Sequence, residues 1–178
     1  MIPIIPAEDK ISQGDIFHDI SIIENVEVKK DQIKITDLAL PLAICLNQEC
    51  DLSRDFENKN RNSNKNTSLL HFLILPIFNF DLFKDGIHWG NVFDVGDKKG
   101  SKDRDVIKRN SDPRYHYLEF KDKSILPDCV IDFKHFYTVS NDTLNKAKEN
   151  RIGRIPPLFR EAISQRFAYY ISRIGLPV

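Results

Sequence analysis

The sequence has few cysteines, no long apolar stretch and no excess of charge of either sign. Its three cysteines cannot all pair, which excludes a disulfide-rich scaffold and favours a reducing, cytoplasmic location. The longest apolar run, residues 38–46, is far shorter than the ~20 residues that a membrane-spanning helix needs. The opening residues include Pro3, Pro6, Glu8 and Asp9, a pattern that is not typical of a secretory signal. We therefore expect a cytoplasmic protein without a membrane partner.

Positive and negative charges cancel over the whole chain but are separated along it. Lys and Arg together number 26, as do Asp and Glu. Residues 1–60 hold 6 basic and 12 acidic residues, whereas residues 145–178 hold 7 basic and 2 acidic ones. Residues 97–123, with 9 basic and 6 acidic residues, form a second basic tract. Such a chain can present one face that attracts anions, but its acidic half argues against non-specific coating of nucleic acid.

Composition and hydrophobic patterning indicate a single α+β domain spanning residues 1–178. Apolar residues make up 41% of the chain, which is enough to form a core at this length. Short alternating or continuous apolar segments dominate residues 11–139, as is typical of antiparallel strands. Residues 38–46 and 69–75 are the expected central strands. We expect a strongly bent antiparallel sheet or a small SH3-like barrel, followed by a C-terminal helix.

The C-terminal helical part is expected over about residues 141–175. Within it we expect a helix that begins at Pro156 and Pro157, since proline is tolerated in the first turn of a helix. The apolar stripe of this helix consists of Phe159, Ile163, Phe167, Tyr170, Ile171 and Ile174. We expect the stripe to cover the sheet. Residues 53–68, by contrast, are rich in Asn, Lys and Arg and lack a core-forming pattern, so they are expected to form a flexible loop.

Cys50 and Asp51 form the first candidate site, because they directly follow a buried strand and precede the polar loop. Such junctions often carry function. Cys50 would act as a nucleophile if a base such as His116 made it a thiolate, and Asp51 would orient that base. Alternatively, Cys50 packs as a small apolar residue and Asp51 caps the loop. Cys45 and Cys50 are wrongly spaced for a zinc-binding pair, so we expect no metal and no cofactor.

Arginines form the second group of candidates, for binding nucleic acid or another anion. Arg114 lies beside Tyr115, His116 and Tyr117, so a cation, an imidazole and two phenol rings are available to stack a base and hold a phosphate. Arginines on and before the last helix offer the same phosphate-binding forks; these are Arg154, Arg160, Arg166 and Arg173. Alternatively, their stems lie on the core and their guanidinium groups pair with carboxylates of the acidic half.

Two segments resemble the start of the MazF/PemK toxins, namely residues 13–17 (Gln-Gly-Asp-Ile-Phe) and 41–48 (Pro-Leu-Ala-Ile-Cys-Leu-Asn-Gln). Those proteins have a Gly-Asp-Ile strand and, later, Arg-Pro followed by an apolar strand. The resemblance is limited to residues 1–50 and implies a small SH3-like barrel. It also implies RNA cleavage, although Leu40 stands where that family has an Arg of its RNA-cleaving site.

A second resemblance, to a group of bacterial proteins, implies no activity; it involves residues 48–52, 164–168 and 173–177. The preferred interpretation is a binding or regulatory module of a bacterial defence or toxin-type system, with RNA or a protein as its partner. The alternative is an RNA-cleaving hydrolase of the MazF/PemK type. The sequence contains no catalytic group of known spacing, which favours the module. It leaves the oligomeric state open.

Overall fold

The structure, a computed structural model, describes residues 1–30, 32–61, 65–90 and 92–173. Its strands are β1 (Asp15–Lys29), β2 (Gln32–Cys45), β3 (His71–Asn79), β4 (Tyr115–Leu118), β5 (Cys129–Asp132), β6 (Tyr137–Ser140) and β7 (Arg151–Arg154). Its helices are α1 (Glu49–Arg61), α2 (Phe80–Lys84), α3 (Ser101–Lys108), α4 (Asn141–Lys146) and α5 (Pro157–Ile171). Short 3-10 turns lie at Lys65–Thr67 and Ala147–Asn150.

All the strand pairs are antiparallel, and the order across the sheet is β4-β5-β3-β2-β1-β7. Strands β5 and β6 pair with successive parts of β3, because Ile77 lies opposite Ile131 and Ile74 lies opposite Tyr137. Residues 133–136 separate β5 from β6 along the chain. The expected central strands are confirmed, since β2 and β3 occupy the middle of the sheet.

The fold is therefore α+β, with an antiparallel sheet and a C-terminal helix, as expected. The alternative of a closed SH3-like barrel is wrong, because among the residues that the structure describes no pairing joins the terminal strands β4 and β7. The expected division into a sheet region, 11–139, and a helical part, 141–175, also needs correction. Helices α1, α2 and α3 lie within the first region, and strand β7 lies within the second.

Successive side chains of the central strands point alternately to the two faces of the sheet and pack in two apolar clusters, one on each face. Phe17, Ala43 and Ile74 belong to one cluster, whereas their neighbours Ile16, Ile44 and Leu75 belong to the other. Helices α1 to α4 contribute apolar side chains to the first cluster and α5 contributes to the second. Both faces of the sheet are thus covered by helix.

Helix α5 covers its face of the sheet as expected from the stripe. Ile163 is fully buried, Phe167 is 7% exposed, and Phe159 is partly buried against the same cluster. Ile171, however, is exposed, because the helix turns that position away from the sheet. Tyr170 is partly buried against the same cluster, and the last stripe residue, Ile174, lies outside the described residues.

The flexible loop expected over residues 53–68 is wrong for its first half, because α1 continues to Arg61. Leu52 is 2% exposed and anchors the helix in the core. Asp55 is also buried, and its carboxylate accepts the Leu69 N–H at 2.8 Å and pairs with Lys59 at 3.0 Å. One leucine and one buried carboxylate therefore hold a helix that has no continuous apolar stripe. Residues 62–64 of the expected loop lie outside the described residues.

No helix in the described part of the chain combines the length and the apolar character that crossing a membrane requires.

Candidate functional site

Cys50 and Asp51 lie in the first turn of α1, where Cys50 is exposed. Its Sγ lies 3.6 Å from Gln48 Oε1 and 3.8 Å from Asp51 Oδ1. Neither neighbour is a histidine, and no described histidine forms a hydrogen bond with this thiol. The local geometry thus supplies an accessible thiol without an adjacent imidazole base.

His116 lies on β4, away from this turn, and is 7% exposed. Burial and the nearby Arg166 charge lower its pKa to about 4. Its ring packs 6.3 Å from that of Phe133, centroid to centroid, and its Nδ1 has no hydrogen-bond partner among the described residues. His116 is therefore a neutral imidazole of the core at neutral pH. The structure brings Cys50 and Asp51 together but places His116 among other partners.

Two of the candidate arginines, Arg154 and Arg160, belong to an ion-pair network built on Asp15 and Glu49, which we call the Asp15–Glu49 network. The Asp15 carboxylate is fully buried and accepts from Arg154 Nε at 2.8 Å and from Arg151 Nη1 at 3.2 Å. The Glu49 carboxylate accepts from Arg160 Nη1 at 2.9 Å. These contacts join β1, α1, β7 and α5.

Electrostatics in this network favour the ionised form of Glu49. Burial alone would raise the pKa of Glu49, but hydrogen bonds from Lys10 and the Gln13 N–H, with the Lys10 and Arg160 charges, lower it overall. The Arg154 pKa is raised, because its pairing with Asp15 outweighs the effect of burial. Arg154 and Arg160 thus pair with carboxylates of the protein itself. This is the second of the two alternatives given for the candidate arginines from the sequence.

Gly14 permits this arrangement. Its φ of +87° is a conformation that other residues rarely adopt, and an added Cβ would lie 3.1 Å from both Arg160 Cβ and the Ile155 carbonyl oxygen. The Gly14 N–H donates to the Cys45 carbonyl at 2.8 Å. The Gly-Asp pair at residues 14–15 is therefore explained by close packing against α5 and the strand that precedes α1.

Arg114 and Arg166 form a second group beside β4. Arg114 makes two hydrogen bonds to the buried carboxylate of Asp132, at 2.8 and 2.5 Å. Arg166 Nη2 donates to the carbonyls of Asp112 and Tyr115 at 2.7 and 2.8 Å. These donors are also used inside the protein. Among the candidate arginines only Arg173 is exposed, near the end of α5.

Further cations line a cleft of about 520 Å³ between α2, α3 and residues 121–128. Lys84, Arg104, Lys108 and Lys123 line it, together with Asp81, Asp105 and Asp128. We call it the cationic cleft. Four positive groups and three carboxylates leave an excess of one positive charge in its wall.

Within the cationic cleft, two of the cations are already paired. Lys84 bonds to Asp81 at 2.6 Å, and this hydrogen bond and charge lower the pKa of Asp81. Lys123 pairs with Asp128. Arg104 has no ion-pair partner among the residues that the structure describes.

Lys108 is held by aromatic rings. Its Nζ lies 5.2 Å from the centre of the Phe80 ring and 6.0 Å from that of Tyr117, which is within the range of cation–π attraction. Arg104 and Lys108 are thus the groups best placed to meet an incoming anion.

The sequence signal for the cationic cleft was the basic tract 97–123, which contributes Arg104, Lys108 and Lys123. Lys84 lies outside that tract, and nothing in the sequence around it indicated a binding site. Within the described residues, no three His, Cys, Asp or Glu side chains are arranged to hold a metal ion.

A comparison with protein-family models and one with curated proteins found no match to this chain.

Proposed function

We propose that this protein is a binding module that takes a phosphate-bearing partner, a single-stranded segment of RNA, in the cationic cleft. The observation that carries the proposal is an open cleft in which Arg104 is unpaired among the described residues and Lys108 is held over two rings. Guanidinium groups bind phosphate oxygens through a rigid fork, and ammonium groups bind them as point charges. Both kinds of donor are thus present in one wall.

The charge of the cationic cleft supports modest affinity. Asp81 and Asp128 neutralise Lys84 and Lys123, so Arg104 and Lys108 supply most of the attraction. Two or three phosphate contacts to single-stranded RNA would give a slope of log K against log salt between about −1.4 and −2.1. We therefore expect weak, salt-sensitive binding rather than a tight complex.

Two placements support the module over the RNA-cleaving hydrolase. Cys50 has an amide and a carboxylate beside it rather than an imidazole, and His116 is buried in a different part of the sheet. The resemblance of residues 13–17 and 41–48 to the MazF/PemK toxins supports a bacterial defence or toxin-type system as the setting of this module. The three unpaired cysteines support the cytoplasm as its location.

Fluorescence anisotropy with a labelled single-stranded RNA of about 12 nucleotides tests the proposal, since this length spans such a cleft. The double variant Arg104→Glu, Lys108→Glu should bind at least about ten-fold more weakly, because it replaces attraction to phosphate by repulsion. Lys146→Glu is the control: it makes one charge reversal of the same kind on α4, outside the cleft, where Lys146 is 82% exposed. It should leave the affinity unchanged.

The proposal is overturned if the native protein does not bind the RNA in 50 mM salt, or if the Lys146→Glu control weakens binding as much as the double variant. Electrophoresis of the RNA recovered from the same samples addresses the hydrolase. If the native protein cleaves the RNA and the Cys50→Ser variant does not, the protein is an RNA-cleaving enzyme and the proposal of a binding module is wrong. Intact RNA, together with binding that depends on Arg104 and Lys108, would support the module.

A further inference from the structure

The hairpin of β1 and β2 extends beyond the core as a two-stranded arm, residues 23–37. Five large apolar side chains on it are more than half exposed; they are Ile23, Val26, Val28, Ile33 and Ile35, with exposed fractions between 51% and 69%. Leu38 and Ile20, at the base of the same hairpin, are 1% exposed. The apolar character of the hairpin therefore continues outside the core, where nothing in the described chain covers it.

The strand register gathers these side chains on one face of the arm. Val26 lies opposite Ile35, and Val28 lies opposite Ile33. Directly opposed residues of an antiparallel pair point to the same face. The intervening pairs, Asn25 with Thr36 and Glu27 with Lys34, point to the other face; these residues are polar. The arm is thus an amphipathic ribbon with one apolar face.

A bulge at Glu24 produces this arrangement. The register of β1 against β2 shifts by one residue between Ile23 and Asn25. Without the extra residue, Val26 and Val28 would share the face of Ile22 and Leu38, which is the face turned to the core at the base of the arm. A bulge re-aims the side chains that follow it. Here it collects the valines with Ile23, Ile33 and Ile35 on the outer face.

Charge along the arm is polarised. The base of the arm carries Glu24 and Asp37, a net charge of −2. The tip, from Glu27 to Lys34, carries three lysines and two carboxylates, a net charge of +1. An arm laid antiparallel on a second arm would therefore place each basic tip against the acidic base of the other. This complementarity points to a second copy of the chain as the occupant, since an isologous contact repeats itself about a two-fold axis.

We propose that two copies of this protein dimerise through their arms, packed face to face and antiparallel, with the Val26–Ile35 pair at the two-fold axis. The pair Ile23 and Asp37 of one copy then faces Val28 and Ile33 of the other, and Asp37 lies near the partner's Lys30. The proposal is independent of the cationic cleft, because the arm and the cleft share no residue.

The size of the arm sets the expected strength. Seven residues per strand span only about 23 Å at about 3.3 Å each. One such face buries less than the roughly 800 Å² per partner of a standard stable interface. We therefore expect a dimer in equilibrium with the monomer at micromolar concentrations rather than a permanent one.

Sedimentation equilibrium between about 5 and 200 µM measures this association, because the dimer fraction depends on protein concentration. Ile35→Lys places two like charges across the two-fold axis and should weaken dimerisation at least about ten-fold. Thr36→Lys is the matched control, since it adds the same charge to the next residue on the opposite face. It should leave the dimer unchanged. Thermal melts of both variants should match that of the native protein, because both sites lie outside the core.

A charge exchange tests the antiparallel geometry. Asp37→Lys and Lys30→Asp should each weaken the dimer, whereas the two changes together should restore most of the lost affinity. A native protein that is monomeric at 200 µM would overturn the proposal, and so would a dimer that Ile35→Lys leaves intact or that Thr36→Lys weakens equally. Failure of the charge exchange to restore association would overturn the antiparallel arrangement.

Discussion

At the scale of single residues, Asp15 determines how the N-terminal part of the chain is joined to β7. Its fully buried carboxylate accepts from Arg151, Arg154 and the Ser12 N–H. Arg154 is itself 7% exposed, and its Nη2 has no hydrogen-bond partner among the described residues. Among the described residues, Asp15 is the buried carboxylate with which this guanidinium forms an ion pair, and its other ion-pair partner, Glu8, is 71% exposed.

Replacing Asp15 by Asn should therefore destabilise the protein strongly. Asn keeps the shape but removes the charge, and a buried guanidinium left without its counter-charge costs about 3–5 kcal/mol in the free energy of unfolding. Urea melts measure this loss. Asp142→Asn is the control, since Asp142 and its partner Lys146 are both more than four-fifths exposed, and we expect a change below about 0.5 kcal/mol. Equal losses in the two variants would contradict the role given to Asp15.

At the scale of elements, α5 shows how one face of a helix docks. Ile163 and Phe167 enter the cluster on its side of the sheet. The Phe167 ring lies 5.7 Å from that of Phe133 and 5.6 Å from that of Phe136, between centroids. These two phenylalanines belong to the segment that separates β5 from β6. The segment between β5 and β6 thus supplies the rings against which α5 packs.

Phe167→Ala should consequently cost about 3–5 kcal/mol in the free energy of unfolding, because it removes a large buried ring and leaves a cavity. Tyr169→Ala removes a ring of similar size from the same helix, where Tyr169 is 64% exposed. That control should change stability by less than about 0.5 kcal/mol. Chemical denaturation of both variants measures the difference. A loss below 1 kcal/mol for Phe167→Ala would mean that α5 does not dock through this ring.

At the scale of the whole molecule, the separated charges of the sequence meet inside the fold. The acidic N-terminal part supplies Asp15 and Glu49, and the basic C-terminal part supplies Arg151, Arg154 and Arg160. Opposite charges far apart along the chain therefore neutralise one another at the junction of β1, α1, β7 and α5. The positive groups that line the cationic cleft come from the middle of the sequence, around α2 and α3.

Acid should weaken the whole fold before the carboxylates titrate. The pKa of His116 is lowered from 6.5 to about 4 by burial and the Arg166 charge, and burial lowers that of His88 to about 4. The unfolded chain takes up these protons near pH 6.5, so between pH 6.5 and 4 it binds more protons than the folded protein. The free energy of unfolding is therefore highest above pH 6.5 and falls as the pH falls. Glu49, whose pKa is also lowered, adds to the loss only below its ordinary pKa of about 4.5.

His116→Leu should make stability less sensitive to acid. For a buried imidazole with this pKa, the loss between pH 7 and pH 5 is about 2 kcal/mol, and the variant should lack that part while His88 retains its own. Urea melts at pH 7, 6 and 5 measure the slope. His71→Leu, at an exposed position of β3, is the control and should keep the slope of the native protein. An unchanged slope in His116→Leu would contradict a neutral buried imidazole.

The sequence by itself determined the features that rest on local pattern. The apolar runs at 38–46 and 69–75 determined the central strands, because short, largely apolar runs are typical of strands in the middle of a sheet. Pro157 and the four-residue spacing of Phe159, Ile163 and Phe167 determined the start and the buried face of α5. These signals come from neighbouring residues, so they are present before any tertiary contact forms.

Only the tertiary structure decided which polar groups meet. Residues 53–61 are helical because Leu52 and Asp55 find partners in the core and at Leu69, and a polar segment carries no periodic signal of such anchoring. Asp15 and Arg154 are separated by 139 residues, so no local pattern pairs them. The sequence shows which side chains are charged, but the ion-pair partner of each one depends on which strands and helices pack together. For this reason four of the five candidate arginines, Arg114, Arg154, Arg160 and Arg166, bond to groups of the protein itself.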